Sequence, residues 1–211
     1  MIQRLFAILL LAWGTSFAAE PPSELLTAIA RLNRETYGWT TTVETPGAPF
    51  TIPPLSGTVR EDRSALMTSR SGRQTLRATI NEGSPSVAED GSAPTNRDRA
   101  ANADLADLLD TRIPAEELKS LVAAATDFSR SADGSFVFPL RENQARPIME
   151  RLAKNRSPMA HPTLSNCSGT VQVWLTRDRL TKYVLVTRAT LSLPIGKKEI
   201  QRRAVVVIEN P

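Results

Sequence analysis

The closing stretch from Gly169 to Glu209 constrains this chain more than any other part of it. Three runs rich in Val, Thr, Leu and aromatic residues follow one another: Gly169–Thr176, Leu180–Leu191 and Glu199–Ile208. They are joined by Arg177-Asp-Arg179 and by a Pro194-Ile-Gly-Lys-Lys198 break. β-Branched and aromatic side chains suit the pleated surface of a strand, so this pattern predicts an antiparallel meander. Side chains alternate along a strand, and that assigns the faces. Val171, Val173 and Leu175 form one apolar side, as do Tyr183, Leu185, Thr187, Ala189 and Leu191, and then Ala204, Val206 and Ile208. The opposite side is mixed but carries Trp174, Val184, Val186, Val205 and Val207. That second face is expected to be partly covered or to meet a partner.

Upstream, Leu25, Ala28, Ile29 and Leu32 recur at helical spacing, which predicts an amphipathic helix over Glu24–Glu35 with Ser23 as its N-cap. Tyr37–Glu44 reads as a strand with Trp39, Thr41 and Val43 on one face. A proline-rich loop follows over Thr45–Pro54. Gly57–Asp62, Ala65–Ser69 and Gln74–Ile80 then make a second meander, with turn residues at Asp62-Arg63, Ser71-Gly72 and Asn81-Glu-Gly83. Ser84–Asn102 has no periodicity and is expected to be a mobile loop. Ala103–Asp110 and Pro114–Ala125 read as short helices, Ser135–Phe138 as a strand, and Glu142–Ala153 as a helix with Pro147 near its start. Arg156–Ser168, holding His161 and Cys167, reads as a loop. The expected class is α+β: a curved antiparallel sheet, an unclosed half-barrel, with helices packed on its concave face.

The N-terminus has the layout of a secretory signal peptide. Arg4 precedes an apolar run over Leu5–Trp13, and Ser16 and Ala18 place small side chains before a cut after residue 18. The apolar run is shorter than the ~20 residues a bilayer span needs. No cysteine follows it to carry a lipid. The expectation is residues 1–18 as signal peptide, then residues 19–211 as one soluble domain in the periplasm. A chain of 211 residues, 41% of them apolar, suits one domain whose core needs no staples, and its one cysteine rules out an internal disulfide.

Most chemistry is excluded by what is missing. The chain has one histidine, so no multi-histidine metal site forms, and zinc lacks its set of four N/S ligands. No Gly-x-Ser-x-Gly turn or phosphate-cradling glycine loop occurs. His161 has no identifiable partners for a triad, and Cys167 has only distant arginines to activate it. Asp104, Asp107 and Asp110 recur every three residues on a helix, which reads as a solvated helix face and not a calcium loop. The net charge of +4 is spread, from Arg60 and Arg63 through Arg77 to Arg202 and Arg203, with no tight basic run. These arginines read as solvated strand faces, and nucleic acid is not an expected partner. No catalytic residues, metal or cofactor are assigned.

The helix Glu24–Glu35, the strands Trp39–Glu44, Gly57-Thr-Val-Arg60 and Leu76–Ile80, the helix Leu105–Asp110, and Gly169-Thr-Val-Gln-Val-Trp-Leu175 followed by Leu180-Thr-Lys-Tyr183 carry a resemblance. In order and pattern they resemble the LolA/LppX/RseB-type superfamily of exported lipoprotein-carrier-like proteins. The resemblance implies helices lying as a lid over an unclosed barrel, an apolar cavity for acyl chains, and no enzyme activity. It makes a lipid or other hydrophobic small molecule the expected ligand, with lipid or lipoprotein carriage as one use. Trp39, Val171, Val173, Leu175, Tyr183, Leu185 and Val206 are the expected cavity wall. The alternative is an RseB-like interaction or sensor module without a ligand, meeting a membrane or envelope protein through Trp174 and the valines of the second face. Alternation predicts burial but not a void, so an ordinary filled core beneath the helices is the competing outcome.

Overall fold

A computed structural model describes residues 20–81, 84–87, 102–156, 163–193 and 196–209. The expected signal peptide, His161 and the Pro194-Ile195 connector lie outside the described residues. In chain order the elements are α1 (Ser23–Leu32), β1 (Tyr37–Glu44), β2 (Ile52–Val59), β3 (Ala65–Ser71), β4 (Gln74–Asn81) and β5 (Ser84–Val87). Then come α2 (Ala103–Leu109), α3 (Pro114–Ala123), β6 (Ser129–Arg130), β7 (Phe136–Leu140) and α4 (Glu142–Arg156). The chain closes with β8 (Thr163–Thr176), β9 (Arg179–Leu193) and β10 (Gly196–Glu209).

All ten strands form one antiparallel sheet in the order β5-β4-β3-β2-β1-β10-β9-β8-β7-β6. The two meanders meet at β1 and β10, where Trp39 stands opposite Ile208 and Val43 opposite Ala204. Among the described residues β5 and β6 do not pair with each other, so the curved sheet stays open. The helices lie on its concave face. There α4 packs on β8 and β9, α2 on β2, β3, β4 and α4, and α1 on α3 and β9.

The inner face is filled by the alternating residues of each strand. Trp39, Met67, Phe138, Val171, Val173, Tyr183 and Leu185 are all buried, and Leu25, Ile29, Leu118 and Met149 meet them from the helices. Leu25, Ala28, Ile29 and Leu32 are the buried stripe of α1, as their spacing requires. Trp39 lies across Gly57, its neighbour on β2, where a Cβ would stand 2.1 Å from the indole ring. Only glycine leaves that room. Tyr37 accepts a bond from the backbone N–H of Ala115 at 3.3 Å, which satisfies one orphan donor at the start of α3. Asn102 caps α2 by accepting from the N–H groups of Asp104 and Leu105 at 3.1 and 3.0 Å.

Several boundaries differ from expectation, each for a physical reason. Ser23 is the first helical residue of α1, not its cap; Pro22 holds the cap position without a side-chain bond. The Pro53-Pro54 pair lies inside β2, because a register shift between Thr41 and Val43 accommodates two residues that cannot donate to the ladder. Ser84–Val87 pairs with β4 as a strand and is not loop; residues 88–101 lie outside the described residues. The strand β8 starts at Thr163, so Cys167 lies buried within it, beside a bulge between Ser165 and Ser168. Pro147 sits inside α4, and the helix runs on to Arg156. The β8–β9 turn places Arg177 and Asp178 at φ 51° and 60°, the left-handed pair that a two-residue hairpin demands.

One inner-face hydroxyl is chemically out of place. Thr187 is fully buried and its Oγ1 has no hydrogen-bond partner among the described residues. Thr187→Val removes that orphaned hydroxyl at nearly constant shape. It is expected to stabilise the protein by about 1 kcal/mol, read as a Tm rise of roughly 2–4 °C.

Candidate functional site

Where α2 and α4 meet the sheet, the core is not closed. A cleft of about 100 Å³ opens between them and the strands β1, β2, β9 and β10. Its apolar wall comes from Val43, Ile52, Leu55, Ile148, Leu152 and Val206. Its polar wall comes from Asp104, Asp107 and Asp110 of α2 and its end, Glu117 of α3, Arg151 and Asn155 of α4, and Arg202 of β10.

The three aspartates are not a solvated face. Positions i, i+3 and i+6 share one side of a helix, and here that side looks at the C-terminal turn of α4. Arg156 places Nη2 2.7 Å from Asp104 Oδ1 and 2.5 Å from Asp107 Oδ2, and its Nε donates to Asp107 at 3.0 Å. Asn155 Nδ2 donates to Asp107 Oδ1 and to Asp110 Oδ2, both at 2.9 Å. Ser71 of β3 donates to Asp104. The guanidinium of Arg156 also lies 5.3 Å from the centroid of Phe50. These contacts fasten α2 over the cleft.

Deeper in, the Tyr183 hydroxyl donates to Glu117 Oε2 at 2.5 Å. Burial, with Glu117 second, raises the Tyr183 pKa well above a phenol's ordinary value, so it stays a donor. Arg202 shares the inner face with Ala204 and Val206 because strand side chains alternate, and this corrects its reading as a solvated arginine. Its Nη1 is sealed from solvent with no hydrogen-bond partner among the described residues. Burial pulls its pKa below the usual guanidinium value, against the opposing pull of Glu117 and Asp107.

Of the seven expected wall residues, the structure brings Tyr183 and Val206 to the cleft. Trp39, Val171, Val173 and Leu185 lie in the packed core away from it. Leu175 is only partly buried, at the end of β8, where the register shifts. In the sequence Arg202 reads as part of a solvated strand face and the aspartates as a solvated helix face. The signal for Arg202 was its phase with Ala204 and Val206. For the aspartates it was their three-residue repeat, read without a facing helix.

Two other expected features lie elsewhere. Trp174 faces away from the helices, donating to Asp133 at 3.0 Å with the Lys182 ammonium 4.6 Å over its ring. Cys167 is buried, and that burial raises its thiol pKa against the pull of Arg146, so it is not activated.

Among the described residues no helix is long and apolar enough to cross a membrane. Comparison with protein-family models finds none that matches this chain, and comparison with curated proteins finds no match either.

Proposed function

We propose that this chain is an exported periplasmic protein that binds a lipid or other hydrophobic ligand non-covalently in the cleft beneath α2 and α4, without catalysing a reaction on it. The observation that carries this reading is the cleft between the helices and the sheet, walled on one side by Val43, Ile52, Leu55, Ile148 and Leu152. Residues that would otherwise close on one another there leave apolar surface for a guest, at about 25 cal/mol per Å² removed from water before the costs of association. The order of elements that resembles LolA-type carriers supports the same reading, and the N-terminal pattern of residues 1–18 supports export.

The free volume of about 100 Å³ is below the ~300–1,000 Å³ of a pocket that encloses a drug-sized ligand. The cleft therefore takes the head and first carbons of a chain as it stands, and a longer chain requires α2 to move outward.

Native mass spectrometry of protein purified from periplasm without detergent tests this. The expected result is a lipid-sized adduct on a chain beginning at Ala19, together with uptake of a fluorescent fatty acid. Bare protein and no uptake would sink the reading.

A further inference from the structure

Building on the reading of the cleft as a hydrophobic-ligand site, we infer that its ligand is a monoanionic amphiphile whose carboxylate is received by Arg202, with Arg151 beside it. A guanidinium nitrogen sealed from water without a hydrogen bond is costly, and such nitrogens are normally paired. Arg202 is half-buried, and its Nη1, sealed from water, has no partner among the described residues. The acids within electrostatic reach, Glu117 and Asp107, are engaged with other donors. Glu117 accepts from Tyr183, and both oxygens of Asp107 are taken, one by Asn155 and one by Arg156.

A second cation sharpens the point. Arg151 of α4 lines the same cleft and makes no hydrogen bond or ion pair with a described residue. Its charge repels that of Arg202. With Arg112, exposed at the rim, three guanidinia that make no hydrogen bond or ion pair with a described residue line one cleft with an apolar wall opposite, and together they describe a receptor for an anion with an apolar tail. The planar fork of an arginine matches the two oxygens of a carboxylate. The neighbouring Asp104, Asp107, Asp110 and Glu117 make a dianionic head costlier than a monoanionic one, which favours carboxylate over phosphate. The small free volume agrees with a compact head.

The test is calorimetric titration of the delipidated chain with decanoate, decanol and decyl phosphate at neutral pH. Decanoate is expected to bind roughly 10- to 100-fold more tightly than decanol, the range for a hydrogen bond to a charged group. Arg202→Gln is expected to abolish that preference while decanol binding persists; Arg202→Lys is expected to keep part of it. Equal binding of decanol and decanoate by the wild-type chain overturns the inference and leaves the cleft reading intact. Tighter binding of decyl phosphate than of decanoate overturns the carboxylate assignment. Binding of none of the three overturns both readings. A second arm asks whether Arg202 is merely structural. Without ligand, Arg202→Met is expected to melt no lower than wild type, because it removes a guanidinium whose Nη1 is sealed from water without a partner among the described residues. A clear loss of Tm, or failure to fold, would make Arg202 a structural partner of Glu117 and overturn the inference.

Discussion

Gly57→Val is expected to destabilise the protein by about 3 kcal/mol or more, lowering Tm by roughly 6–12 °C. Glycine is needed at this position because of what lies above it and not because of its backbone. The indole of Trp39 crosses from β1 onto β2, and a Cβ on residue 57 would lie 2.1 to 2.5 Å from three of its ring atoms. A long flexible side chain could swing its end away; a rigid ring can only turn as a whole. Trp39 is 1% exposed and packs beside Tyr37, with their ring centroids 6.1 Å apart, so there is no vacant space to turn into. Valine therefore forces the indole out of its rotamer and opens a void where it stood. Trp39→Ala alone is expected to cost about 3–5 kcal/mol. The double variant should cost clearly less than the sum, because valine then fills part of the space the indole left. Urea melts of the four proteins measure the coupling. Additive costs, or a Gly57→Val protein melting within about 2 °C of wild type, would mean that the indole is not held over Gly57.

Arg156→Ala is expected to cost about 2–3 kcal/mol, somewhat below the loss seen when one partner of a fully buried ion pair is removed. The discount reflects partial exposure: the side chains of Arg156, Asp104 and Asp107 are 10%, 19% and 16% exposed. The variant leaves two carboxylates on one face of a short helix, with like charges and no cation between them. The loss should be local as well as global. Amides of α2, residues 103–109, are expected to exchange with solvent roughly 30- to 100-fold faster, while those of β8 and β9 change less. Arg156→Lys should fall between, since an ammonium keeps the charge but not the fork that reaches both aspartates. Pairing Arg156→Ala with Asp104→Asn should recover part of the loss. Unchanged exchange in α2 would show that Leu108 and Leu109, and not the ion pairs, fasten it.

The elements were legible in the sequence wherever one periodicity ran unbroken. The stripe of Leu25, Ala28, Ile29 and Leu32, and the alternation from Val171 to Val173 and from Tyr183 to Ala189, are local patterns that hold whatever the chain packs against. Extension of β8 back to Thr163 was not legible. Thr163, Leu164 and Ser165 become strand only because β9 continues far enough to pair with them, as Leu164 does with Leu191. Pro53 and Pro54 read as loop because proline cannot donate; in the sheet they are a bulge of β2, two residues set against Thr42 alone, and that fit depends on the partner strand β1. The cleft was the least legible feature. Whether inward-facing residues touch or leave a gap depends on how far the helices stand off, and alternation carries no such distance.

By itself the sequence determined which residues turn inward, since strand and helix periods are set by backbone geometry alone. It also determined which chemistries lack their residues. Tertiary structure decided the rest. Pairing of β1 with β10 joins two meanders far apart in the chain into one sheet, a choice made by non-local ladder bonds and shared core burial. Docking of α2 against α4 turned Asp104, Asp107 and Asp110 from a helix face into a clasp. The cleft beneath them holds Arg202, an arginine in phase with the core whose Nη1 is sealed from water without a hydrogen-bond partner among the described residues.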